Sequence, residues 1–488
     1  MLDFTSAALF LATFLGVYYW FWRPKKFPPG PRGIPILGVV PFLGKWPERV
    51  IQGWCKKYGP VVSVRMGRED WVVLNDFESL NQCFVKQHTK FSGRPYFEAL
   101  DNLTHGLGLT FSDYGPLWKS QRKFGQKTLR GFGVGRKGME NSVTEEVTCF
   151  LKSVQATEGK AFDIKDLLQQ SSCNVISSIV MGKRYEYNDD TLRRLVKIFS
   201  DVFDGAFENF ALQAIMFAPK LIHVYPISRF YEELKQNFKY LSDISSEAIT
   251  EHEKTFDKEN PRDFIDAFLN DMKEGSDKSF KVEQLRGYLR DIFEAGTETT
   301  SSTINWSLIC LLHYPEIQTK LREEIRKVVG LSSTVKMSHR RDMPYMNAFI
   351  QEIMRFRTFT PFAFHHKTSQ DAEINGYFIP KDTTVLPNIW AVHNDPNYWN
   401  EPEKFKPERF IDEKGNFFKS EHVIPFSVGP RHCLGEQLAR MEIFIFLVSM
   451  IQRFEFLPDP ESKFPELNDG SNGSLFIPYP YKLICQEI

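Results

Sequence analysis

From Phe4 to Trp22 the chain carries no charged side chain, and Leu, Phe, Val, Tyr and Trp fill many of those nineteen positions. At about 1.5 Å of rise per residue, a helix of that length roughly spans the hydrocarbon core of a bilayer. Tyr18, Tyr19, Trp20 and Trp22 gather at its far end, and Arg23, Lys25 and Lys26 follow, against a single Asp3 ahead of it. Aromatic residues at the interface and cations behind the helix predict a single membrane anchor with the remaining chain on the cytosolic side. A cleaved signal peptide would need a basic stretch in front and a small-residue cleavage site behind, and the sequence has neither. Residues 1–26 therefore read as anchor and basic stop segment. Residues 27–34, with Pro28, Pro29 and Pro31 between glycines, read as a stiff, extended hinge. Residues 35–488 read as one large domain.

Within that domain, apolar runs at 61–66 and 71–74 flank a Gly-Arg-Glu-Asp turn and predict a β-hairpin. From about 118 to about 355 the spacing of apolar positions is helical, with examples at 192–203, 230–252 and 282–313. Short strands return near 372–379 and 383–386. A last helix is predicted over 435–454, because Leu438, Met441, Ile445 and Val448 share one face. The fold class is mainly α with a small β-subdomain.

Composition narrows the function. Lysine and arginine total 61 against 61 acidic residues, so nothing in the overall charge favours nucleic acid as a partner. An apolar content of 42% supplies a large core, which excludes wholesale disorder. Forty-four phenylalanines and 17 tyrosines add large flat apolar surfaces. The seven cysteines are scattered and never form a Cys-x-x-Cys pair, which argues against a disulfide framework or a structural zinc site.

One cysteine stands apart. In Phe426-Ser427-Val428-Gly429-Pro430-Arg431-His432-Cys433-Leu434-Gly435-Glu436, a Gly-Pro turn leads to a cysteine, then a glycine, then a helix. Amide donors at a helix start stabilise a thiolate, and the helix dipole acts in the same sense. Gly429 and Gly435 leave room for a flat group against the backbone, and Arg431 offers it a fixed cation. This stretch resembles the haem-binding signature F-x-x-G-x-R-x-C-x-G of the cytochrome P450 monooxygenases at every fixed position.

The resemblance implies a cytochrome P450 fold behind the transmembrane helix, most like the animal microsomal family-two type, with residues 35–488 as the haem-thiolate catalytic domain. It implies haem b (iron protoporphyrin IX), with Cys433 as axial thiolate and metal ligand and Phe426 and Gly435 in the binding loop. Trp118 and Arg122, spaced as W-x-x-x-R, resemble the pair that contacts a haem propionate; Arg94 and Arg431 look like further propionate partners. His366 is a further candidate, although relatives usually show Pro-His where this chain has His365-His366, so either histidine or neither reaches the propionate. Ala295-Gly296-Thr297-Glu298-Thr299-Thr300 resembles the oxygen-activating motif, which implies proton delivery by Thr299 and Glu298 and free space at Ala295 and Gly296. A glycine among threonines in a helix also predicts a local opening of the backbone. Glu352 and Arg355 match E-x-x-R, and with Arg409 they imply a buried charge network that holds the cysteine loop.

The implied activity is that of an oxidoreductase of the endoplasmic reticulum membrane, inserting one atom of dioxygen into a lipophilic small molecule. The segments matching the family's substrate-facing stretches, 95–111, 203–217, 293–296, 360–364 and 474–476, are rich in Phe and poor in basic residues, so fatty acids, steroids and xenobiotics rank together. The chain has no dinucleotide-binding G-x-G-x-x-G after a strand, so electrons are expected from a separate NADPH-cytochrome P450 reductase, with cytochrome b5 as a further donor. Lys119, Arg122, Lys123, Lys127, Arg136 and Lys137 form the expected docking face. The alternative is a haem-thiolate isomerase or dehydratase acting on lipid peroxides without a reductase.

Overall fold

The computed structural model describes residues 13, 16, 22–131, 138–203, 215–216, 218–275, 277–472 and 475–488. The predicted anchor therefore lies outside the described residues apart from Thr13, Gly16 and Trp22. Among the described residues no helix is long and apolar enough to cross a membrane. The chain forms two compact units that interleave along the sequence.

The first unit comprises residues 1–95, 362–392 and 428–431. Helix α1 (Pro47–Tyr58) precedes strands β1 (Val61–Met66) and β2 (Glu69–Leu74). Strands β3 (His366–Lys367), β4 (Ala372–Ile374), β5 (Tyr377–Ile379) and β6 (Thr384–Pro387) follow much later in the chain. The main sheet runs β1-β2-β6-β3, with β2 parallel to β6 and the other pairs antiparallel. The hairpin forms as predicted, with a tighter turn, because Glu69 and Asp70 already pair with Met66 and Arg65.

Alternation along β1 explains its two faces. Val62, Val64 and Met66 join a buried cluster with Ile51 of α1, Trp71 and Val73. The intervening Ser63 and Arg65 are buried but polar. Ser63 donates its hydroxyl to the Pro28 carbonyl at 2.6 Å, and its amide bonds the Pro29 carbonyl at 2.9 Å. Arg65 grips Asp70 across the hairpin at 2.9 and 2.6 Å, and Arg23 reaches the same carboxylate at 2.9 Å. The proline hinge is thus laid along β1, and one cation of the predicted stop segment is committed to the sheet.

The second unit, residues 96–361, 393–427 and 432–488, is mainly helical. Its principal helices are α2 (Pro116–Gly131), α3 (Met139–Gln155), α4 (Lys165–Met181), α5 (Asp190–Phe203), α6 (Ile227–Thr255) and α7 (Phe264–Glu274). They continue with α8 (Val282–His313), α9 (Pro315–Val328), α10 (Pro344–Phe356) and α11 (Glu436–Arg453). Strand β7 (Phe454–Pro458) pairs with β10 (Leu483–Glu487), and β8 (Ser471–Asn472) with β9 (Phe476–Ile477). Helix α8 has 32 residues, buries most of them and packs along α4, so it is the axis of the unit. Proline at the first position of α9 and of α10 starts each helix at no cost in hydrogen bonding.

Candidate active site

In the second unit, the cysteine loop is closed by the Cys433 amide donating to the Phe426 carbonyl at 2.9 Å. Gly435 caps the start of α11, so the thiol sits just before a helix N-terminus. Cys433 is exposed, whereas the other six cysteines are buried or half-buried. Desolvation pushes its thiol up, while the Gly435 amide, the Arg122 guanidinium and the Glu436 amide pull it down. Phe426 is half-buried beneath Arg440, whose guanidinium lies 4.9 Å from the ring centre. Arg122 of α2 is buried and donates to the His432 carbonyl, which ties α2 to the residue before the sulfur. Its Nε is buried with no hydrogen-bond partner among the described residues. Trp118, one turn earlier, donates its indole N–H to the Leu109 carbonyl at 3.2 Å.

In the first unit, three segments interlock. Gly429 has φ +80°, and a Cβ there would meet the Phe84 carbonyl oxygen at 1.9 Å, so only glycine fits. Arg431 donates through Nε to the Ser92 carbonyl at 3.0 Å, and Arg94 donates to the His365 carbonyl at 2.6 Å. Both arginines are buried. His366, also buried, stacks on Phe84 at 4.0 Å and places Nδ1 2.7 Å from the Phe91 carbonyl. Because a carbonyl only accepts, Nδ1 carries the proton. Desolvation, then Arg94, holds the His366 pKa well below 6.5, and Arg431 adds to the effect. Neutral His366 therefore presents a bare Nε2 beside two cations. His365 instead sets its ring edge-on to Trp71 at 5.0 Å.

The threonine-rich stretch lies mid-way along α8. Ala295 is exposed and Thr299 half-buried, one turn apart on one face. Thr299 donates its hydroxyl to the Ala295 carbonyl at 2.7 Å. Thr297, Ser301, Thr303 and Ser307 bond back in the same way at 2.8–2.9 Å. The predicted opening does not form: α8 is helical throughout, because each of these hydroxyls shares a carbonyl already in the ladder. Gly296 differs from expectation as well. A Cβ there would lie 2.4 Å from Cδ1 of Ile176, so its space is taken by α4. Glu298 is fully buried and accepts from Gln169 of α4 at 2.5 Å and from Ser302 at 2.8 Å.

Within the second unit, an exposed thiol at a helix start and an unpartnered, buried Arg122 Nε fit an acidic, thiolate-ligated group. The cytochrome P450 family pattern matches residues 28–485. The chain belongs to the cytochrome P450 family. It is 34% identical to human cytochrome P450 2U1, over 99% of this chain and 94% of that protein. Identity to rabbit cytochrome P450 2C16 is 36%, over 94% and 93%, and to rat cytochrome P450 2J3 37%, over 93% and 90%. The protein is accordingly a haem-thiolate monooxygenase, an oxidoreductase with haem b as cofactor.

The P450 charge network takes the expected form. Glu352 and Arg355 of α10 are fully buried and pair through two bonds of 2.7 and 2.8 Å. Arg409 donates to Glu352 at 3.0 Å, and the Lys406 amide donates to the same carboxylate at 2.9 Å. Sequence reasoning missed the next link. Arg355 donates to the carbonyl of buried His393 at 2.8 Å, and the His393 ring lies between the Thr358 hydroxyl (2.7 Å) and the Ile424 amide (2.8 Å). Desolvation, with Arg355, lowers the His393 pKa to about 3, so its Nε2 stays free to accept from Ile424. Gln169 and Ser302, which hold Glu298, were also missed, and a lone glutamine or serine in a helix carries no pattern that would flag it.

Proposed function

We propose that this P450 inserts one atom of dioxygen into a lipophilic small molecule, by hydroxylation or epoxidation, while tethered to the endoplasmic reticulum membrane by residues 1–26. The observation that carries this reading is the exposed Cys433 thiol, framed by the Gly435 and Glu436 amides and by Arg122. Cys433 would hold the haem iron through its thiolate, in a loop completed by Phe426 and Gly435. When bound, haem supplies dioxygen activation, and thiolate donation favours O–O cleavage. By the family resemblance, Arg94, Arg431 and Arg122 would donate to the propionates, with Trp118 fixing the loop beside Arg122. His366 joins them once a carboxylate offsets the neighbouring cations and lets Nε2 take a proton.

Thr299 holds its proton at the accessible face of α8, on the Ala295 carbonyl. Glu298 resupplies it by turning away from Gln169 and Ser302, so proton delivery is coupled to a side-chain rotation. The exposed face around Ala295 and the Phe-rich segments suit fatty acids, steroids or xenobiotics. Of those segments, most of 203–217 lies outside the described residues.

Electrons come from NADPH through a separate reductase, with cytochrome b5 assisting. Lys119, Lys123, Lys127 and Arg130 form an exposed stripe on α2. Arg130 also lines a cavity of about 360 Å³ beside Cys433, together with Lys419 and Arg440. Cations beside the cysteine loop suit an acidic electron donor. Arg122 is buried on the sulfur side, so it drops out of the docking face; Arg136 and Lys137 lie outside the described residues. The test combines the enzyme with microsomal reductase, NADPH, a lipid and drug extract and isotopically labelled dioxygen. Products carrying one labelled oxygen are expected. Unlabelled products from reductase-independent consumption of lipid peroxides would replace this reading with the isomerase.

A further inference from the structure

Helix α2 carries Arg122 to the cysteine loop, and one residue of α8 bears on where that helix stands. Tyr288, buried near the start of α8, donates its hydroxyl to the Gln121 carbonyl of α2 at 3.1 Å. A carbonyl only accepts, so the phenol carries its proton. Desolvation pushes the phenol up, with Arg122 acting the other way, and Tyr288 stays a donor at physiological pH. The bond falls on the residue immediately before Arg122, whose guanidinium donates to the His432 carbonyl next to the sulfur.

Gly125, one turn further along α2, makes room for this hydroxyl. A Cβ there would lie 2.0 Å from the Tyr288 oxygen and 3.0 Å from Cδ2 of Leu434, the residue after Cys433. A glycine thus lets the α2 backbone approach α8 and the cysteine loop at the same point. The body of α2 has other supports. Phe124 packs among Phe264, Phe268 and Phe280 at ring separations of 5.2–5.3 Å, and Gln121 donates to the Ser279 hydroxyl at 3.0 Å. These contacts hold α2 in the fold. The Tyr288 hydroxyl adds a directional contact to the backbone at the level of Arg122.

The geometry points to Tyr288 as a positioning residue of the haem site, which fixes the Arg122 guanidinium beside Cys433 and through that cation raises the reduction potential of the iron. This rests on Cys433 as the haem ligand. A fixed cation near the sulfur favours the more negative, reduced state of a thiolate-ligated iron, as it favours thiolate over thiol. Groups that orient a centre's immediate neighbours tune it without touching it.

Spectroelectrochemical titration of the full-length, haem-loaded enzyme, alongside thermal melts, compares wild type, Tyr288→Phe, Gly125→Ala and the double variant. Tyr288→Phe removes only the hydroxyl; its reduction potential should fall below that of wild type while the thiolate-type carbon monoxide spectrum is kept. Gly125→Ala should lower both the potential and the melting temperature, because its methyl group displaces the hydroxyl. In the double variant that methyl group no longer meets an oxygen, so the melting temperature should recover part of the loss while the potential stays low. A potential in Tyr288→Phe equal to or above wild type would overturn the inference alone. So would a potential that recovers in the double variant together with the melting temperature, since packing would then account for both. Should Tyr288→Phe shed its haem, the potential of Gly125→Ala against wild type decides by the same criterion. Wild type without a thiolate-type spectrum would overturn Cys433 as the ligand and the inference with it.

Discussion

Glu352 has no exposed surface and gathers two guanidinium groups and a backbone amide. Removing its charge would leave the buried Arg355 and the half-buried Arg409 without their counterion, a loss of about 3–5 kcal/mol for buried pairs of this kind. The consequence should pass along Arg355, His393 and Ile424 to the cysteine loop. Glu352→Gln is therefore expected to lose haem on purification rather than to turn over slowly, and full haem content by pyridine haemochrome assay would contradict this. The glutamate and both arginines were legible in the sequence because E-x-x-R and the later Pro-Glu-Arg-Phe are fixed patterns. His393 was not, since its role depends on three groups far apart in the chain. The His365-His366 ambiguity has the same origin: Arg94 acts on both rings, and which of them also lies near Arg431 depends on strand pairing of β3, which cannot be counted from spacing.

At the scale of elements, the helix boundaries at 282–313 and 435–454 were legible to within a residue or so, because long apolar periodicity and a capping glycine mark them. What a glycine inside a helix is for was not legible. Gly296 suggested free space at the reaction face, but it is the point where α8 closes on α4. Gly296→Val should cost about 1–3 kcal/mol through overpacking against Ile176. Adding Ile176→Ala should recover most of that in thermal melts, and purely additive losses would refute the contact. The junction of α6 and α7 supplies a pH-dependent case. His252 lies 2.7 Å from Asp263, the N-cap of α7, and 2.7 Å from the Ala248 carbonyl. Desolvation works against its charged form, but Asp263 and the carbonyl prevail and raise its pKa above 6.5. With the folded value raised, this stabilisation is complete below about pH 6.5 and fades as pH rises through the folded pKa. The Tm gap between wild type and His252→Gln should narrow from about pH 6 to about pH 9, and a gap that widens would contradict the assignment.

For the whole molecule, function depends on surfaces that meet other components. The basic stripe of α2 runs beside the cysteine loop that Arg122 ties to the same helix. Reversing Lys123 and Lys127 to glutamate should weaken reductase binding by about tenfold at low salt, with the difference shrinking as salt is added. Equal affinities at low salt would remove the docking face. Charge clusters are visible in sequence, but burial is not, which is why Arg122 was grouped with the docking residues although it faces inward. The central claim concerns one sulfur atom. In the reduced, carbon monoxide-treated protein, wild type should show the thiolate-type spectrum and Cys433→Ser should lack it. A thiolate-type spectrum that persists in Cys433→Ser would contradict the account at its centre.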